Sequence, residues 1–146
     1  MHSYIVVMII VCFLWAGFMG AISFMESWLK FRAEGVQLAA GLSIGRLIFR
    51  TLNRIEWVYL IILWGGYILA KPSPLPKDAL AYFILSLIML IQTVFLLPAM
   101  DKRAAARING QKVASSIMLH IWYPGLELIK FIVLIYAGIS LLGIVK

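Results

Sequence analysis

Apolar residues fall into four long runs, at residues 4–24, 52–70, 79–100 and 119–145, separated by short stretches in which charge and proline collect. A hydrocarbon core about 30 Å thick takes roughly 20 apolar residues per helix, so each run predicts a transmembrane helix. Ahead of the second run, Val36, Leu38, Leu42, Ile44, Leu47, Ile48 and Leu52 recur at helical spacing, while Arg46, Arg50 and Arg54 form a stripe at i, i+4, i+8. That pattern predicts a basic amphipathic helix at the membrane interface between spans one and two. The expected fold is all-α: an integral membrane four-helix bundle forming a single transmembrane domain over residues 1–146.

Composition agrees with the pattern. The chain is 64% apolar and 13% charged with mean hydropathy +1.01, whereas charged residues make up about a quarter of a soluble domain. The first run has no basic n-region and is too long for a signal-peptide h-region, so it reads as a retained first span. Cys12 is the only cysteine, which excludes an intramolecular disulfide and leaves a thiol that is either lipid-facing or packed.

The formal net charge of +7 would suggest a nucleic-acid partner in a soluble protein. Here the basic residues follow the connections instead, so no nucleic acid is expected. Lys30, Arg32, Arg46, Arg50 and Arg54 lie in the first connection and Lys102, Arg103, Arg107 and Lys112 in the third, against Lys71 and Lys77 in the second. The positive-inside rule makes the first and third connections cytoplasmic and puts both termini outside, in a multi-pass protein of the cytoplasmic membrane. Trp28, Trp57 and Trp122 then fall at the inner interface, where an aromatic belt is expected. The outer connection "KPSPLPKDA" reads as a rigid extended spacer. "DKRAAARINGQK" predicts that span three continues as a helix beyond the membrane surface and turns at Asn-Gly.

Ionisable groups in spans are costly and face protein or water. Glu26, Arg54, Glu56, Asp101, His120, Glu127 and Lys130 all fall toward the cytoplasmic side of their spans, with Gln92 somewhat deeper. His120 and Glu127 share a helix face with Tyr123 and Lys130 close to it, and Pro124-Gly125 interrupts the helix between them. The candidate polar cluster is therefore Glu56, His120, Glu127, Lys130, Gln92, Glu26 and Asp101. It is either a wet cavity or a set of neutralising pairs, Glu127 with Lys130 or Arg54 and Glu56 with Lys130 or an arginine. Arg46, Arg50 and Arg54 are candidates to hold anionic headgroups or an anionic substrate.

No cofactor or metal is expected. The chain has no Glu-x-x-His pair, its two histidines fall on opposite sides of the membrane, and it lacks a Gly-rich phosphate loop and a nucleophile motif, so no catalytic residue is assigned. The pairs Gly17/Ala21 and Ala16/Gly20 in span one, Gly41/Gly45 in the interfacial helix and Gly65-Gly66 in span two predict close helix approach.

The segments "FLWAGFMGAISFMESW", "GRLIFRTLNRIEW", "LLPAMD" and "LHIWYPGLELIK" resemble the small four-helix membrane family that includes transmembrane protein 205 and its bacterial relatives, a family defined as a domain of unknown function. That resemblance implies a last helix opening on a His-bearing segment, with His120 at the corresponding position. A second, partial resemblance is to the eicosanoid and glutathione membrane enzymes of the MAPEG group. "RLIFRTLNRIE" supplies Arg46, Asn53 and Glu56 at similar spacing to their second-helix motif, but Gly45 replaces the motif glutamate and the second arginine is displaced to Arg50. The Arg and Tyr of their third helix are missing apart from Tyr82. The expected function is a non-enzymatic accessory subunit or small transport-related component with a charged cavity at the cytoplasmic leaflet; the alternative is a membrane-embedded enzyme acting on an anionic lipophilic substrate. The expected partners are membrane lipids including anionic headgroups, and a larger membrane complex or a homo-oligomer.

Overall fold

The structure, a computed structural model, describes residues 2–70, 76–112 and 117–145, without the side chains of residues 2, 27, 76–78 and 117–120. Among the described residues there are helices and turns and no strand. Helix one comprises His2–Gly20, a π-helical segment Ala21–Glu26 and a last turn Ser27–Leu29; helix two is Leu38–Leu69. Helix three comprises Pro76–Ile91, a second π-helical segment Gln92–Leu96 and Leu97–Ile108; helix four is Ile117–Val145. Helix one packs on helices two and four, and helix three packs on the same two.

Three stretches, Ser3–Glu26, Ala79–Ile108 and Ile121–Val145, are long and apolar enough to cross a membrane. Helix two is longer still but carries Asn53, Arg54 and Glu56 within the expected span. At 32 residues it extends about 48 Å at 1.5 Å per residue. The interfacial helix and span two expected as separate elements are thus one unbroken helix, since between Gly45 and Leu69 only Gly65-Gly66 could interrupt it and no proline does. Helix four likewise continues through Pro124-Gly125. Helix three ends as expected at Asn109-Gly110, with Gly110 at φ +75°. Most of the outer connection lies outside the described residues.

The core is a set of helical stripes. Met8, Cys12, Trp15 and Met19 of helix one meet Leu60 and Leu63 of helix two, Tyr82, Leu85 and Met89 of helix three, and Leu134, Ala137 and Leu141 of helix four. Cys12 is packed. The opposite faces are as apolar, exposing Leu14, Ile61, Phe83, Phe95, Ile132 and Ile139. A helix apolar on all sides suits surroundings that are themselves apolar.

Small residues sit where large ones press. A Cβ on Gly66 would lie 2.6 Å from Met8, and one on Gly138 would lie 2.9 Å from Phe13. Gly41 and Gly45, expected to bring helices together, instead receive Phe31 and Lys30 of the first connection, the Lys30 Nζ lying 2.8 Å from a Gly45 Cβ. The reason is geometric: this end of helix two faces the returning connection, so the groove left by two glycines takes side chains.

Candidate functional site: a buried charge triad beneath a basic cavity

The inward stripes carry polar residues at one level. On helix two Glu56 follows Leu52 and precedes Leu60 in the buried series; on helix four Tyr123, Glu127 and Lys130 precede Leu134; on helix three Gln92 follows Met89. Glu56, Gln92, Glu127 and Lys130 have no exposed surface, so their charges and dipoles must be satisfied by other groups of the protein.

Lys130 stands at the centre. Its Nζ is 2.6 Å from Glu56 Oε1, 2.8 Å from Glu127 Oε1 and 3.7 Å from Met89 Sδ. An ammonium has three hydrogens, and two carboxylates and a thioether account for them. Trp15 Nε1 donates to Glu56 Oε1 at 2.9 Å, Gln92 Nε2 to Glu127 Oε1 at 2.7 Å, and Ser23 Oγ to Glu127 Oε2 at 2.8 Å. All four helices therefore contribute to one network. Two carboxylates surround one ammonium, so the ionised triad carries one excess negative charge. Glu56 Oε2 and Gln92 Oε1 accept no hydrogen bond among the described residues.

Ser23 and Gln92 both come from the π-helical segments, Ala21–Glu26 and Gln92–Leu96. Wide turns of this kind cluster at functional sites. The second also presents Thr93, which accepts from Trp57 Nε1 at 3.0 Å and lies 3.1 Å from Asn53 Oδ1, tying helix three to helix two.

Toward the ends of the helices lies a cavity of about 310 Å³. Its wall includes Lys30, Arg46, Arg103 and Arg107 against a single carboxylate, Asp101, among the described residues. Phe31, Leu42, Phe49, Leu97, Met100 and Pro124 supply an apolar lining. Asp101 holds Arg46 at 3.2 Å and also pairs with Arg50, joining helices two and three. Lys30 pairs with Glu26 at 3.3 Å and lies 5.4 Å from the Phe31 and Phe49 ring centres. At the base are Ser23 and Tyr123. The buried Tyr123 hydroxyl has no partner among the described residues. Ser23 belongs to both sites: it lines the cavity and donates to the triad.

Of the residues singled out from the sequence, Glu56, Gln92, Glu127 and Lys130 come together. Glu26 and Asp101 do not join them; each pairs with its own basic residues toward the cavity end. The side chain of His120 lies outside the described residues. The arginine stripe divides, because Arg46 and Arg50 engage Asp101 while Arg54 is exposed. Glu127 pairs with Lys130 and not Arg54; Arg54 stands two residues before Glu56, which turns it about 200° away from the interior. Arg46, Asn53 and Glu56 occupy three different places: the cavity wall, the Thr93 contact and the triad.

Sequence reasoning did not select Ser23, Trp15, Lys30, Arg103, Arg107 or Tyr123 as site residues. Arg103 and Arg107 were legible only as orientation charges, though their four-residue spacing already placed them on one helix face. No family model matches the chain, and no curated protein or solved structure matches it.

Proposed function

We propose that this chain is an integral membrane four-helix bundle, with its basic end on the cytoplasmic side, that holds an anionic amphiphile in the cavity as a non-enzymatic accessory or transport-related component. The observation that carries this reading is the cavity wall itself: four cationic side chains and one carboxylate set on an apolar lining of aromatic and aliphatic residues. Cations at the rim suit a phosphate or carboxylate head, and apolar side chains suit the chain attached to it. The exposed apolar faces of the helices support insertion in a bilayer. The excess of basic residues at the cavity end supports the cytoplasmic orientation.

The test is to purify wild type and an Arg103→Gln/Arg107→Gln variant side by side and weigh the molecules that stay bound. Wild type is expected to retain anionic lipids or fatty acids severalfold over zwitterionic ones, and the variant is expected to lose that preference. Equal retention by both proteins would dismiss the cavity as the holding site.

A further inference from the structure

We infer that the Glu56–Lys130–Glu127 triad is a proton-binding site that takes up one proton when an anionic amphiphile occupies the cavity. The inference rests on the reading of the cavity given above and adds a second ligand to it. Three features lead there. The triad holds two carboxylates to one ammonium, all three fully buried. One carboxylate oxygen, Glu56 Oε2, has no donor among the described residues and stands open to a proton. Ser23 joins the two sites through a hydroxyl that has one hydrogen, given to Glu127 Oε2 at 2.8 Å.

An anion entering above Ser23 has two effects of the same sign. It adds negative charge beside a triad that already carries an excess, and it competes for the single Ser23 hydrogen that supports Glu127. Both raise the affinity of the carboxylate pair for a proton. A proton from bulk water then forms an O–H bond on one of the two carboxylates, no other covalent bond changes, and the triad becomes neutral. By linkage the anion binds more tightly as pH falls, by up to about tenfold per pH unit when one proton accompanies each anion.

The charged and titratable groups on the elements around the triad are Tyr4, Cys12 and Glu26 on helix one with Lys30 just beyond it, and Arg46, Arg50, Arg54, Tyr59 and Tyr67 on helix two, among the residues with described side chains. Helix three brings Tyr82, Asp101, Lys102, Arg103 and Arg107, and helix four brings Tyr123 and Tyr136, with His120 in its first turn outside the described side chains. Within the network, Glu56, Glu127 and Lys130 are the ionisable groups in mutual ion-pair contact.

The experiment uses the full chain in a neutral detergent and short-chain phosphatidylglycerol, whose phosphodiester stays ionised throughout, with short-chain phosphatidylcholine as the control. Affinity is measured across pH, and proton uptake on mixing is followed with an indicator in weak buffer. Wild type is expected to bind phosphatidylglycerol more tightly at low pH and to take up a proton as it binds. Glu127→Gln and Glu56→Gln each leave a neutral pair with Lys130, so either variant should bind at all pH values as wild type does at low pH, without proton uptake. Ser23→Ala should bind the lipid with a shallower pH slope.

A flat wild-type profile with phosphatidylglycerol bound overturns the inference and leaves the cavity reading standing. Equal binding of the two lipids at every pH overturns both. A slope that survives in both Gln variants and disappears in His120→Ala assigns the proton to His120 and overturns the triad as its site.

Discussion

At the scale of single residues, the triad makes its members unequal. Lys130 is the one cation between two buried carboxylates and pairs with both, whereas each carboxylate has only that one cation. Lys130→Met should strand two carboxylates and cost about 3–5 kcal/mol, the usual penalty for breaking a buried pair. Glu127→Gln should cost about 1 kcal/mol, because an amide oxygen in the place of Oε1 can still accept from Gln92 and face Lys130, its NH2 can donate to the Ser23 hydroxyl oxygen, and a neutral Glu56–Lys130 pair remains. Thermal unfolding of both variants in the same detergent checks the order, and equal losses would mean that Lys130 does not hold the two carboxylates as described. The participation of Glu56, Gln92, Glu127 and Lys130 was legible in the sequence because charge and amide groups well inside apolar runs turn inward, whereas Arg54, near the start of its run, stays exposed. Tyr123 was legible only as lying near the Glu127 face, and Ser23 was not legible, since a neutral hydroxyl in such a run can bond its own backbone and gives no signal of facing a partner.

Among the elements, the four helices follow from run length alone, and the turn after helix three follows from Asn109-Gly110. The union of the amphipathic segment with the second span was not legible: the change from a mixed to an apolar face marks a change of surroundings, and a helix passes through it unbroken when no residue stops it. The contact between helices two and three was hidden for a related reason. Asp101 looked like a terminus of span three, and only packing shows that it takes Arg46 and Arg50 from helix two. These pairs are partly exposed, so Asp101→Asn should lower stability by no more than about 1 kcal/mol. It also removes the carboxylate from the cavity wall and should raise retention of phosphatidylglycerol at low salt, the gain shrinking as salt screens it. Retention unchanged at low salt would show that Asp101 does not temper the cavity's charge.

For the whole molecule, the basic residues of the first and third connections gather at the end that holds the cavity, and this asymmetry gives orientation a direct test. A cysteine placed at Ser73 should react with an impermeant maleimide added to intact cells, and one placed at Gln111 should react only after the membrane is opened. Native Cys12, with no exposed surface, should stay silent in both conditions. The opposite labelling pattern would put the cavity on the outer face. The sequence supplied the sign of this asymmetry, but not the cavity, which arises only when residues far apart in the chain, such as Lys30, Arg46 and Arg107, close around one space.

The two π-helical segments give chain length a special role here. Each holds a surplus residue relative to a regular helix, and each residue of a helix turns the chain by about 100°. Deleting one residue between Ala21 and Glu26 would restore the regular winding while leaving the stripe from Met8 to Met19 where it is. Everything beyond would swing round: Ser23 or Lys30 would leave its place, one above Glu127 and the other over Gly45. Length variation of a single residue could therefore recast the ligand preference or the proton link of such a protein with the core untouched, a route to divergence that point substitution in the same helix does not offer.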